Sequence, residues 1–231
     1  MTSIASNLQA VHGRIVSAAA ACGRNPDDIA LLAVSKTWPA GCVAEAAEAG
    51  QIAFGENYAQ EGADKVAALA GRGLQWHFIG PLQGNKTRLV ASAFDWVHSV
   101  DRLKIAQRLS EQRDATLAPL QVCLQVNVSG EASKSGLAPE AVAPLAEAVA
   151  GLPRLHLRGL MCIPEPTEDA ALLRARFASL RALKDQLNTR GFALDTLSMG
   201  MSHDLEAAIA EGATLVRVGT AIFGARAPAS H

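Results

Sequence analysis

Two stretches of the sequence carry residue types that could do chemistry. The first is Lys36, which closes the apolar run IALLAVSK (29–36) directly behind Ala33, Val34 and Ser35. A lysine ending such a strand lays its stem against apolar walls, and desolvation there lowers the pKa of its amine. A neutral amine is what attack on an aldehyde, and retention of that aldehyde as a Schiff base, requires. These residues leave a second reading open, a rim lysine that snorkels into water.

The second stretch is LSMGMSHDLEAAIAEGATLVRVGTAIFG (197–224). It reads as a glycine-bearing turn ending at Ser202, a helix from near His203, and a strand that reaches Gly219 and Thr220. Glycines let backbone N–H groups approach an anion, and a helix N-terminus adds partial positive charge, so the segment is a candidate phosphate cradle. Ser202, His203 and Asp204 do not make a catalytic triad, because sequence neighbours point apart. Ser202 or Asp204 is expected to cap the helix instead.

Other candidates carry less. GPLQGNKT (80–87) has three residues between its glycines and Asn85 before Lys86, so it lacks the spacing of a nucleotide-binding P-loop. It reads as a strand-to-helix turn with Lys86 and Arg88 in solvent. Lys134, in the loop GEASKSG (130–136), is either a solvated residue or a second amine near a ligand. Glu45, Glu48 and Glu147 fall on helix faces, and no pair of carboxylates is expected at strand ends, which leaves a glycosidase dyad without candidates.

These residues need elements to hold them. Apolar, β-branched-rich runs recur at 29–36, 51–57, 74–80, 96–100, 120–128, 155–163, 196–200 and 215–224, separated by Ala/Leu/Glu-rich segments of helical period. Leu172, Leu173, Phe177, Leu180 and Leu183 mark one such buried face. Strand alternating with helix eight times, at about 29 residues per unit, predicts an α/β fold, a (β/α)8 TIM barrel with an extra N-terminal helix. The alternative is an open doubly wound sheet. In a barrel, Lys36, Asn57, His77 to Gly80, His98, Ser99, Asn127, Met161, Ser198 to Ser202, Arg217 and Gly219 all fall at strand C-termini, the face on which barrel enzymes build their sites. The glycine-bearing segment then lies after strands seven and eight, where barrels often bind phosphate.

Composition sets the limits. The 231 residues are 49% hydrophobic and 19% charged, with 21 Lys+Arg against 22 Asp+Glu. Such a chain has apolar surface enough to fold and no cationic surplus for a nucleic acid or an anionic membrane. Its four cysteines, Cys22, Cys42, Cys123 and Cys162, form no CxxC and read as core residues in a reducing compartment. The N-terminus is interrupted by Gln9, His12 and Arg14 and reads as an amphipathic helix, not a signal peptide, so a cytoplasmic protein is expected. One domain over 1–231 is expected, with 225–231 as a flexible tail.

With Lys36 closing the first strand, and SMGMS followed by VRVGTAIFG, the sequence resembles the pyridoxal 5′-phosphate (PLP) homeostasis proteins, single-domain relatives of the alanine racemase barrel. AVSKTWP, FGENYAQE, WHFIGPLQGNK, VNVSGEASKSG, LSMGMSHDLEAAI and VRVGTAIFGAR match family blocks in order. Gly84, where Ser or Thr is more usual, and the variable stretch MCIPEPTED are minor departures. The resemblance implies that Lys36 holds PLP covalently as an internal aldimine, that Ser202, Gly219 and Thr220 hold its phosphate, that Arg217 faces the pyridine nitrogen and that Asn57 lines the site. Lys134 matches the lysine of the family's SKSG loop, suspected of accepting or passing on the cofactor.

A PLP carrier that meets apo-enzymes transiently is expected; a closed barrel with no obvious apolar interface stripe is expected to be a monomer, and the balanced charge predicts no nucleic-acid and no membrane partner. Racemisation needs a second acid/base opposite the lysine, in the racemase a tyrosine from an additional domain. This sequence ends seven residues after Gly224 and its one tyrosine, Tyr58, is expected to start a helix, so a carrier is expected over an efficient enzyme. A weak PLP-dependent racemase or lyase is the alternative, and a PLP-independent aldolase working through Lys36 ranks last.

Overall fold

Each predicted apolar run supplies one strand of a computed structural model that describes residues 3–130 and 135–225. They are β1 (Ala30–Val34), β2 (Ala53–Glu56), β3 (Gln75–Phe78), β4 (Trp96–Val100), β5 (Leu120–Gln125), β6 (Leu155–Met161), β7 (Thr196–Ser198) and β8 (Leu215–Val218). All pair in parallel with their sequence neighbours. β8 closes on β1 through Ala30 opposite Leu215 and Ala33 opposite Val218, which makes a barrel and excludes the open sheet. The helices are α1 (Ile4–Ala21), α2 (Ala40–Glu48), α3 (Ala59–Ala68), α4 (Thr87–Ala93), α5 (Leu103–Gln112), α6 (Val142–Ala150), α7 (Ala170–Thr189), α8 (Leu205–Ala210) and α9 (Thr220–Phe223). Lys134 and residues 226–231 of the expected tail lie outside the described residues.

Strand alternation sorts the side chains into two layers. Phe54, Phe78, Val97, Leu124, Leu160, Leu197, Val216 and Val218 belong to the large core between barrel and helices. The opposite phase points inside the barrel, where Leu32, Ile79 and Leu215 make one small cluster and Trp96, Cys123 and Met161 another. Residues of that inner phase at the strand ends are therefore the ones that can reach a pocket.

The helices obey the same accounting. Asp169 caps α7 by accepting from the N–H groups of Ala171 and Leu172, a contribution of about 1 kcal/mol. The buried stripe of α7 is Phe177, Leu180 and Leu187, with Leu173 and Leu183 half-buried beside it, whereas Leu172 is 43% exposed. Leu172 precedes that stripe by one position, about 100° around the helix, so the expected face was one residue too wide.

The last apolar run divides differently from expectation. β8 ends at Val218, and Thr220–Phe223 is helix α9, closed by the N–H groups of Ile222 and Phe223 donating to Gly219 O. Its apolar residues serve helix packing rather than a pleat: Ile222 is buried, and Phe223 stacks on Trp38 with ring centroids 6.0 Å apart. Asn7 of α1 donates to Ile222 O at 2.8 Å, so the N-terminal helix fixes this turn in place.

Candidate functional site at the strand ends

Lys36, Asn57, Ser202, Arg217, Gly219 and Thr220 line one cavity of about 210 Å³ at the C-terminal end of the barrel. Val34, Ile79 and Ile163 supply apolar wall, and Met201 and His203 complete it. The residues come from the ends of β1, β2, β3, β6, β7 and β8, far apart in sequence, and only closure of the barrel joins them.

Lys36 follows the fully buried Ser35 at the end of β1 and is half-buried. Asn57 follows β2, and its neighbour across the strand end is Gly80, where a Cβ would lie only 2.1 Å from Asn57 O. Glycine is required there by close approach of two backbones. Asn57 lines the cavity, and its Oδ1 is buried without a hydrogen-bond partner among the described residues.

The glycine-bearing turn is held from three sides. Gly200 has φ 93° and accepts from the N–H of Arg217 at 2.9 Å, which ties the turn to β8. The N–H of Met201 donates to the Asp204 carboxylate. Asp204 occupies the N-cap position of α8, which starts at Leu205, but its side chain closes the preceding turn and makes no capping hydrogen bond to the helix, so the expected side-chain cap is absent. From outside, Arg14 of α1 donates to Ser202 O at 3.0 Å while pairing with Glu206 of α8 at 2.8 Å. Gly219 passes close to β1, since a Cβ on it would meet Val34 O at 3.0 Å.

Arg217 is 3% exposed and bonds at three points: Nη1 donates to Ser198 O at 2.6 Å and to Ser198 Oγ at 2.7 Å, and Nη2 donates to Cys162 O at 2.7 Å. Behind it runs a buried polar column. His98 Nδ1 lies 2.8 Å from Ser198 Oγ, His98 Nε2 lies 2.9 Å from His77 Nδ1, and His77 Nε2 lies 3.0 Å from Gln75 Oε1. With Arg217 an obligate donor at one end and a carbonyl acceptor at the other, one direction satisfies every member. Ser198 gives its proton to His98 Nδ1, and both imidazoles donate through Nε2. Burial pushes His77 down to about 3, and burial, then His77, then Arg217 hold His98 well below its ordinary range, so both rings are neutral.

A protein-family model described as "Alanine racemase, N-terminal domain" matches residues 6–227. A curated relative from Pseudomonas aeruginosa, named pyridoxal phosphate homeostasis protein, is 65% identical over 233 residues and covers 100% of both chains. The chain belongs to the pyridoxal phosphate homeostasis protein family. The protein of that name from Escherichia coli K12 is 55% identical, with 98% of each chain covered. Among solved structures, PipY of Synechococcus elongatus with PLP bound is similar at a TM-score of 0.85 and 37% identity, over 96% of this chain and 100% of that one. Alanine racemase from Corynebacterium glutamicum has a TM-score of 0.72 at 14% identity, over 99% of this chain and 63% of that one, a likeness of fold alone.

Within this member of the pyridoxal phosphate homeostasis protein family, several expected strand-end residues do not reach the cavity. His77 and His98 point into the barrel as part of the column, and Met161 packs on Trp96 and Cys123. Asn127 Oδ1 turns back to accept from the N–H groups of Ser129 and Gly130. One carboxylate at a strand end escaped notice in the sequence: Glu56 closes β2, is fully buried, and turns towards Ser35 and Lys65 on the helix side. Burial raises its pKa against the pull of Lys65 and Ser35. Lys86 and Arg88 are exposed at the start of α4, as the strand-to-helix turn reading expects. Among the described residues, no group of three or more His, Cys, Asp and Glu could hold a metal, and no helix is long and apolar enough to cross a membrane.

Proposed function

We propose that the cavity binds PLP, that Lys36 retains it as a Schiff base, and that the protein takes part in PLP homeostasis by holding the cofactor for delivery to apo-enzymes. The observation that carries this reading is the meeting of Lys36, Arg217 and the Ser202/Gly219/Thr220 segment around one cavity. The donor set fits the group. An amine suits an aldehyde, hydroxyls and a glycine turn suit a phosphate, Val34, Ile79 and Ile163 suit a ring, and Asn57 adds a polar side chain to the same wall. Two named relatives support it: the homologues called pyridoxal phosphate homeostasis protein and PipY with PLP bound.

In this reading Lys36 would hold PLP through its Nζ, an amine that would condense with the aldehyde carbon as a C=N bond with loss of the carbonyl oxygen as water. Bound PLP supplies an electron sink for carbanions when its ring nitrogen is protonated. Facing that nitrogen, as the family resemblance implies, Arg217 would donate and could not accept, so it would favour the unprotonated form and weaken the sink. Tyr58 is 56% exposed at the start of α3 and is not among the residues lining the cavity. Both features support a holder of the cofactor over an efficient catalyst.

Binding titrations test this. Lys36→Ala retains weakened binding that still depends on the phosphate and loses the visible Schiff-base absorption; complete loss of binding would show that the phosphate segment contributes little. A second reading, a weak racemase or lyase, has one observation behind it, since His203 also lines the cavity. Exchange of an amino acid's α-hydrogen with solvent deuterium, abolished by His203→Ala, would favour it.

A further inference from the structure

The two peptide groups that flank Lys36 are both gripped from the helix side by side chains outside the cavity wall. Thr37 has φ 68°, a left-handed conformation that a β-branched residue rarely adopts. Its N–H donates to Glu61 Oε1 at 2.5 Å. On the other side of Lys36, Ser35 O accepts from Lys65 Nζ at 2.7 Å, and Ser35 Oγ donates to Glu56 Oε1 at 2.6 Å. Lys65 Nζ links the two halves, donating to Glu61 Oε1 at 2.7 Å and to Glu56 Oε1 at 2.8 Å. All three ammonium protons are thereby committed, and Lys65 is 5% exposed. Glu61 and Lys65 are one turn apart on α3, and Glu56 ends β2, so the clamp is built on rigid elements.

A buried lysine beside a buried glutamate can serve stability alone. Here, however, the bonds converge on the carbonyl before Lys36 and the N–H after it, and one holds a residue in a disfavoured conformation. We propose that Glu61 and Lys65 are positioning residues for Lys36, fixing the backbone on either side of it so that its amine is presented to an aldehyde in the cavity. The inference rests on the Schiff-base reading above.

The test compares PLP with pyridoxine 5′-phosphate, which has the ring and phosphate but an alcohol in place of the aldehyde. Glu61→Ala is expected to raise the apparent dissociation constant for PLP, read by visible absorption, about tenfold, the loss of one charge-assisted hydrogen bond. The constant for pyridoxine 5′-phosphate, read by calorimetry, is expected to change less than about twofold, because phosphate and ring contacts are untouched. Glu61→Gln keeps an acceptor for the Thr37 N–H and is expected to recover most of the loss. Thr37→Gly, which adopts φ 68° without steric cost, is expected to recover part of it in the Glu61→Ala background. Equal effects on both ligands, no effect on either, or no recovery in the Gln and Gly variants would overturn the proposal. Should Glu61→Ala fail to fold, the comparison of Glu61→Gln with Glu61→Asp, whose shorter arm misses Thr37, decides in the same terms. A wild-type protein that forms no Schiff base contradicts the parent reading, an outcome distinct from a wild type that forms one while Glu61→Ala matches it.

Discussion

Arg217 Nη1 donates to the Ser198 hydroxyl at 2.7 Å, and through that bond the cavity is tied to the polar column inside the barrel. Ser198→Ala removes an acceptor from a buried guanidinium and a donor from His98 Nδ1. The expected cost is about 1–3 kcal/mol, the penalty for leaving a buried polar group unsatisfied. Urea unfolding checks it, as a lower midpoint at unchanged m-value.

The same column predicts a pH dependence. His77 is held at about 3 against an ordinary 6.5, and His98 is displaced in the same direction. Between those values the unfolded chain binds protons that the folded chain refuses, so stability is complete above pH 6.5 and is lost as pH falls towards 3. The slope for one such imidazole is about 1.4 kcal/mol per pH unit. Ring proton resonances of His77 and His98 are expected to stay constant from about pH 8 to pH 5. Titration of either ring near its ordinary value would refute this.

Arg14 connects the N-terminal helix to the phosphate segment through Ser202 O at 3.0 Å. Arg14→Ala is expected to loosen that turn and weaken binding of a phosphate-bearing ligand about three- to fivefold, the modest value reflecting a partly exposed side chain. The dissociation constants of pyridoxine 5′-phosphate and pyridoxine, measured side by side, check it. Only the phosphorylated ligand should respond.

Most of the fold was legible because its signals are local. The apolar runs mark the strands, and Lys36, Asn57 and Arg217 meet because they end strands that face the same way. What could not be read depends on closure. Ser198 and His98 are 100 positions apart and become neighbours only when β4 and β7 face each other across the barrel. Gln75 with His77, and Trp96 with His98, do show polar or aromatic residues at period two between Trp76, Phe78 and Val97, a pattern that assigns them to the inner layer. Glu56 and Lys65 carry no such mark. Glu56 is next to Asn57 yet points the opposite way, and Lys65 looks like an ordinary solvated lysine of an amphipathic helix. The division of 215–224 into β8 and α9 was likewise hidden, since burial under α1 makes a helix as apolar as a strand.

The central claim is that Lys36 is the residue that captures PLP. The most direct measurement is the visible spectrum of the purified, PLP-loaded protein before and after borohydride reduction, with peptide mapping of the modified lysine. A visible Schiff-base band that borohydride abolishes, leaving a pyridoxyl group on the peptide that contains Lys36, is the predicted result. No such band, or a label fixed on another lysine while Lys36 stays unmodified, would contradict it.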